Sequence, residues 1–197
     1  MIDAQLLARI DRIESQLAIQ QLPPRYALAV DSRDLDALVN LFAPDVDCGR
    51  WGKGRDALKA FYDPTLRQFY RSHHQICGHV IDLDPNNPDA ATGKVYCRAE
   101  HEDGGQWIVM AICYFDTYQR SAGQWCFKSR DERHWYSSDI LDRPGEPQFQ
   151  NWAKFTKERY QPRLPASFPH WNEYWSRSTD EEITALTSVP PLTTPKT

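Results

Sequence analysis

The stretch Arg25-Tyr-Ala-Leu-Ala-Val-Asp-Ser-Arg-Asp34, running on into Leu35-Asp-Ala-Leu-Val-Asn-Leu-Phe42, decides how this chain is read. An apolar helical segment ends in an acid, Asp31. A polar turn follows, and a second helix carries Leu35, Leu38, Val39 and Phe42 on one stripe. Ala27, Leu28, Ala29 and Val30 are residues that a core accepts. A carboxylate beside them is either solvated at a helix end or held in a pocket for work.

On the N-terminal side, Ile2, Leu6, Leu7, Ile10, Ile13 and Leu17 recur at three- and four-residue steps and predict a helix over residues 2–21. Pro23-Pro24 breaks it and suits the first turn of the next, from about Pro24 to Asp31. On the C-terminal side, Val46–Trp51 reads as a short edge strand, and Arg55–Phe61 and Pro64–Tyr70 return to helix. From Ser72 the period changes to two. Strands are expected over 72–83, 90–102, 107–120 and 124–136, separated by turns at Asp84–Asp89, Asp103–Gly105 and Ser121–Gly123. Helices followed by a run of strands give an α+β class: a curved antiparallel sheet wrapped round N-terminal helices, forming a conical pocket. Residues 1–136 make that domain. Residues 137–197 form an aromatic- and Pro-rich extension, expected to pack on the domain or on a neighbouring subunit, with a mobile tail after Thr179.

Composition narrows the function classes. A net charge of −4 argues against nucleic acid, whose phosphates demand a basic face. No apolar run approaches the roughly 20 residues a membrane span needs, and no apolar signal core opens the chain, so a cytoplasmic protein is expected. The five cysteines are scattered and include no C-x-x-C pair, which reads as reduced, mostly buried thiols. Aromatic residues reach 12%, with seven Trp, and point to a broad apolar cavity or an aromatic interface.

Dinucleotide, P-loop, zinc and nucleophile-elbow motifs are missing. The chemistry is therefore expected from ordinary side chains, with no cofactor and no metal. The candidates are Tyr26, Asp31, His74 and His101. Alternation in the strand holding Val95, Cys97 and Ala99 turns His101 inward. His74 shares a face with Ile76 and Val80, and His73 with Cys77, Ile81 and Leu83, so alternation leaves open which of the two points in. Tyr26 and Asp31 are about 140° apart on an ideal helix. They line one cavity only if it envelops the helix end. Each of these residues also has a plain structural reading, as a cap acid, a core tyrosine or a satisfied core histidine.

Three patterns carry a resemblance: A-I-x-x-L-x-x-R-Y-A-x-A-x-D-x-R-D-x-D-A-L-x-x-L-F from Ala18, H-x-x-x-G-x-x-I-x-L-D from His74, and Y-F-D-x-Y-x-R-x-x-G-x-W-x-F from Tyr114. Over residues 5–136 the chain resembles the SnoaL-like branch of the nuclear transport factor 2-like superfamily. Its members include scytalone dehydratase, bile-acid 7α-dehydratase and lindane dehydrochlorinase. The resemblance implies the conical fold and a homo-oligomer, dimer or trimer. It also implies a base dyad at Asp31 and His74, with Tyr26 as electrophilic helper. His101 resembles a second strand histidine of the dehydratases and Arg130 a pocket arginine, although strict alternation from Trp125 turns Arg130 away. Trp51 and Tyr114 join His101 and Arg130 as expected substrate-binding residues.

The function implied is a cofactor-independent lyase acting on a bulky apolar, aromatic substrate. The reaction is a dehydratase-type elimination, or C–C cleavage with loss of a small molecule such as formaldehyde. The alternatives are an isomerase, a non-catalytic binding module, and the small subunit of an aromatic-ring dioxygenase.

Overall fold

The computed structural model describes residues 3–144, 152, 164–165 and 167–187. Four helices precede the sheet: α1 (Ala4–Gln20), α2 (Leu22–Ser32), α3 (Leu35–Asn40) and α4 (Arg55–Leu66). Each start has a local cause. The Asp3 carboxylate accepts from Gln5 N at the head of α1, prolines occupy the first turn of α2, and Asp34 accepts from Ala37 N at the head of α3. Arg33, at φ 62, ends α2 in the left-handed region and turns the chain into α3.

The sheet is a four-stranded antiparallel meander, β1 (Ser72–Leu83), β2 (Ala90–Asp103), β3 (Gln106–Ser121) and β4 (Gln124–Asp139), in the order β1-β2-β3-β4. Its concave face carries Val95, Cys97, Ala99, Ile108, Ile112 and Tyr114, which close on Leu22, Tyr26, Val30 and Leu38 of the helices. Backbone hydrogen bonds Ala43 N to Phe127 O and Phe127 N to Leu41 O, both 2.8 Å, tie the end of α3 to β4.

Register slips at three places. Cys77 in β1 and Lys128 and Trp135 in β4 have no opposite residue, so each is a bulge that moves the following side chains to the other face and adds twist. The bulge at Cys77 decides between the two histidines. His74 and Ile76 lie opposite the buried Ala99 and Cys97, whereas Val80 beyond the bulge is turned out, 61% exposed.

Two expectations differ from what forms, and the segment read as a tail carries some local structure. Residues 46–51 make no edge strand; a 3-10 turn, Gly49–Trp51, forms because Gly49, Gly52 and Gly54 all take positive φ. The α1 stripe forms as a helix face, yet Leu6, Leu7, Ile10, Ile13 and Leu17 are exposed and only Ser15 and Ile19 are buried. Part of the segment read as a mobile tail is helical, as α6 (Asp180–Thr187), while residues 188–197 lie outside the described residues. In the extension, α5 (Pro169–Trp175) brings Trp171 against Trp135 of β4. Residues 145–151 and 153–163 of the extension lie outside the described residues.

The cysteines are free, with Cys97, Cys113 and Cys126 buried. No described helix is long and apolar enough to cross a membrane.

Candidate active site

The end of α2 meets the start of β1. Arg33 reaches back across this junction, donating to Val30 O at 2.7 Å, Ser72 Oγ at 2.8 Å and Tyr70 O at 2.9 Å. Ser72 Oγ in turn donates a hydrogen bond to Asp31 Oδ1 at 2.8 Å, and His74 N donates to Asp31 Oδ2 at 2.8 Å. The third partner is the imidazole: His74 Nδ1 lies 2.7 Å from Asp31 Oδ1. Burial by itself would raise the Asp31 pKa, but the hydrogen bonds from His74 and Ser72 outweigh it and bring it down to about 2. Asp31 is thus a carboxylate that only accepts. Its partner Nδ1 must carry the proton, so neutral His74 keeps its Nε2 lone pair for the cavity it lines.

That cavity has a volume of about 210 Å³ and is walled by Tyr26, Tyr62, Phe69, His74, His101, Tyr114, Arg130 and Trp152 among others. Asp31 stands behind His74 and not on the wall. The wide angle between Tyr26 and Asp31 is accommodated this way, one residue facing the space and the other acting through its neighbour. A larger, more open depression of about 600 Å³ runs over Arg33, Phe69, Tyr70 and Glu102, but it holds neither member of the pair.

His101 faces inward from β2, its ring 5.7 Å from that of His74 and 4.4 Å from that of Phe69. Burial pushes its pKa down to about 3, so it is neutral, and its Nδ1 has no hydrogen-bond partner among the described residues. Tyr26 Oη and Tyr62 Oη are 3.2 Å apart. Burial raises both phenol pKa values, which keeps them protonated. One proton serves the bond between them and the other is left to donate.

Arg130 forms the floor. Its Nε and Nη2 donate to Asp116 at 2.9 and 2.8 Å, and its guanidinium lies 4.4, 4.1 and 4.4 Å from the ring centres of Tyr26, Tyr114 and Phe127. Burial works against the charge, but Asp116 overcomes it and raises the pKa. Nη1 has no partner among the described residues. The Tyr118 hydroxyl donates to Asp116 Oδ2 at 2.9 Å and lies 2.9 Å from His79 Nε2, bracing the acid from behind.

Strict alternation from Trp125 pointed Arg130 outward. The bulge at Lys128 corrects this, because it shifts the parity and pairs Arg130 with inward-facing Asp116. Trp51 is the expected residue left out of the wall. The glycine-rich turn holds it 40% exposed, edge-on to Phe61 at 6.1 Å. Tyr62 was not singled out from the sequence, although its place four residues from both Leu58 and Leu66 was the available signal. Glu132 and His134 follow Arg130 at two-residue steps and reach the wall by the same parity shift. Among the described residues no group of three or more His, Cys, Asp or Glu side chains gathers as a metal site.

Comparison with known proteins gives a consistent picture. The chain is 24% identical over 130 residues to γ-hexachlorocyclohexane dehydrochlorinase of Sphingobium indicum, covering 64% of this chain and 83% of that one. The crystal structure of LinA superposes with a TM-score of 0.60 at 24% identity, covering 71% of this chain and 98% of that one. A scytalone dehydratase-like protein of Novosphingobium aromaticivorans superposes with a TM-score of 0.57 at 24% identity, covering 68% and 93%. These likenesses establish the fold. The model of the SnoaL-like domain matches residues 11–131, more than half of the chain, and the protein belongs to the SnoaL-like family.

Proposed function

We propose that the protein is a lyase that works by proton abstraction and elimination without a cofactor. The observation that carries this reading is the 2.7 Å contact between a carboxylate fixed as an anion and a histidine lining an apolar cavity. The carboxylate fixes the imidazole tautomer and raises its basicity. His74 Nε2 takes a proton from a substrate carbon, and the C–H electron pair becomes a C=C bond. The leaving group departs from the adjacent carbon with its own electron pair. The free phenolic proton of the Tyr26–Tyr62 pair and the spare Nη1 donor of Arg130 meet the charge that develops on it.

The cavity also bears on the substrate. At about 210 Å³ it is not far above the roughly 150 Å³ of an engineered cavity that takes benzene. The reading is therefore one substituted six-membered ring, smaller than the bulky substrate expected from the sequence. The activity for which the Sphingobium relative is named, dehydrochlorination of γ-hexachlorocyclohexane, is an elimination from such a ring.

The test is alkene formation from a panel of one-ring substrates with an acidic C–H beside a leaving group, γ-hexachlorocyclohexane first. His74→Ala and Asp31→Asn should fold normally and lose roughly 10²–10⁴-fold in turnover. Full turnover in both variants would remove the pair from the account.

A further inference from the structure

Trp152 differs from the rest of the cavity wall in its origin, because it lies beyond the family domain, whose match ends at residue 131. It is nevertheless 1% exposed. Its indole Nε1 donates to Asp103 Oδ2 at 2.7 Å, at the end of β2. A buried indole needs such a partner, and the bond fixes how the ring plane stands. The ring is 5.1 Å from that of His101 and 6.0 Å from that of Phe69, and His101 is in turn 5.7 Å from His74. A two-ring group therefore forms the part of the cavity wall beside His101, which is itself the neighbour of the candidate base.

We propose that Trp152 is a specificity-determining residue: anchored by Asp103, it fills the space a second ring would need and limits the ligand to one. The inference rests on the reading of this cavity as the substrate site. A packed interior relaxes only in part around a deleted side chain, so truncation of the indole leaves usable volume beside His101. A ligand too long for the intact cavity gains that volume, whereas a single ring gains little, and the discrimination is a difference of two affinities.

The experiment compares phenol with biphenyl-4-ol as probes, by calorimetry for affinity and by the Hε1 resonance of His74 for location. The unsubstituted protein should bind phenol in preference to biphenyl-4-ol. Trp152→Ala should bind biphenyl-4-ol roughly tenfold more tightly than the unsubstituted protein does, with phenol little changed. Trp152→Phe keeps one apolar ring in place. It should show a smaller gain of the same sign and carries the test if the alanine variant does not fold. Equal binding of the two probes by the unsubstituted protein, or no gain of biphenyl-4-ol in the substituted proteins, overturns the proposal. The catalytic reading fails separately: full turnover in His74→Ala and Asp31→Asn would remove the dyad, and the size limit would still be read from the affinities. Phenol bound without moving the His74 resonance would place the binding outside this cavity and overturn the proposal.

Discussion

Two acids in this molecule, Asp116 and Asp31, each grip a basic side chain, and the two pairs differ in burial and in partner. Asp116 is 0% exposed at its side chain and grips Arg130, which is 3% exposed, through two hydrogen bonds. Arg130 cannot give up its proton, so this partner keeps its charge and holds the cavity floor in one geometry. Asp31 is 23% exposed and grips His74, an imidazole with a second ring nitrogen left over for the cavity. One pair is a clamp, and the other is the pair to which the proposed function gives the proton transfer. The difference follows from the basic residue chosen, since the acid is the same residue type in both.

The contrast breaks most visibly in stability. Asp116→Ala leaves a buried guanidinium uncompensated and is expected to destabilise by about 3–5 kcal/mol in urea unfolding. The double replacement Asp116→Leu with Arg130→Met removes both charges and should recover most of that loss. Asp31→Asn should leave the fold within about 1–2 kcal/mol of the unsubstituted protein, because its carboxylate is partly solvated and the amide still accepts. An Asp31 variant that unfolds as readily as the Asp116 variant would erase the distinction.

Acid titration sharpens it. The unfolded chain protonates His101 near its ordinary value of 6.5, while the folded protein resists down to about 3. Between those values the unfolded state binds more protons, so stability falls steadily as pH drops from 6.5 towards 3. His101→Phe should flatten this limb of the stability curve, measured by thermal melts across the range. Asp31 acts lower: its pKa moves from 3.8 to about 2, so its contribution, about 2 kcal/mol, is present above pH 3.8 and lost as pH falls through about 2. The smallest expected effect is Tyr26→Phe. It removes the bond to Tyr62 at about 1 kcal/mol and lowers turnover by less than the His74 and Asp31 changes, as a comparison of rates would show.

Periodicity alone made much of the architecture legible. The four strands were placed within three residues at their ends, because turn chemistry at Asp84, Gly104 and Gly123 punctuates them. What periodicity could not supply was parity across a bulge. Cys77, Lys128 and Trp135 each add one unpaired residue, and no local composition marks them. His74 over His73, and Arg130 inward over outward, were decided there. Burial was equally hidden for α1, where a helical stripe forms although the chain does not cover it. Trp51 fails for a different reason: aromatic character says nothing about direction when three glycines with positive φ set the path of the turn. The pairing of Asp31 with His74 depended on residues 43 apart in sequence, and resemblance, not spacing, brought them together before the fold did.

The central claim is a single protonation pattern, and nitrogen-15 chemical shifts of the His74 ring at neutral pH report it directly. The account expects a protonated Nδ1 donating to Asp31 and a bare Nε2 facing the cavity, with the preference lost in Asp31→Asn. A ring protonated at Nε2, with Nδ1 bare beside the carboxylate, would contradict it.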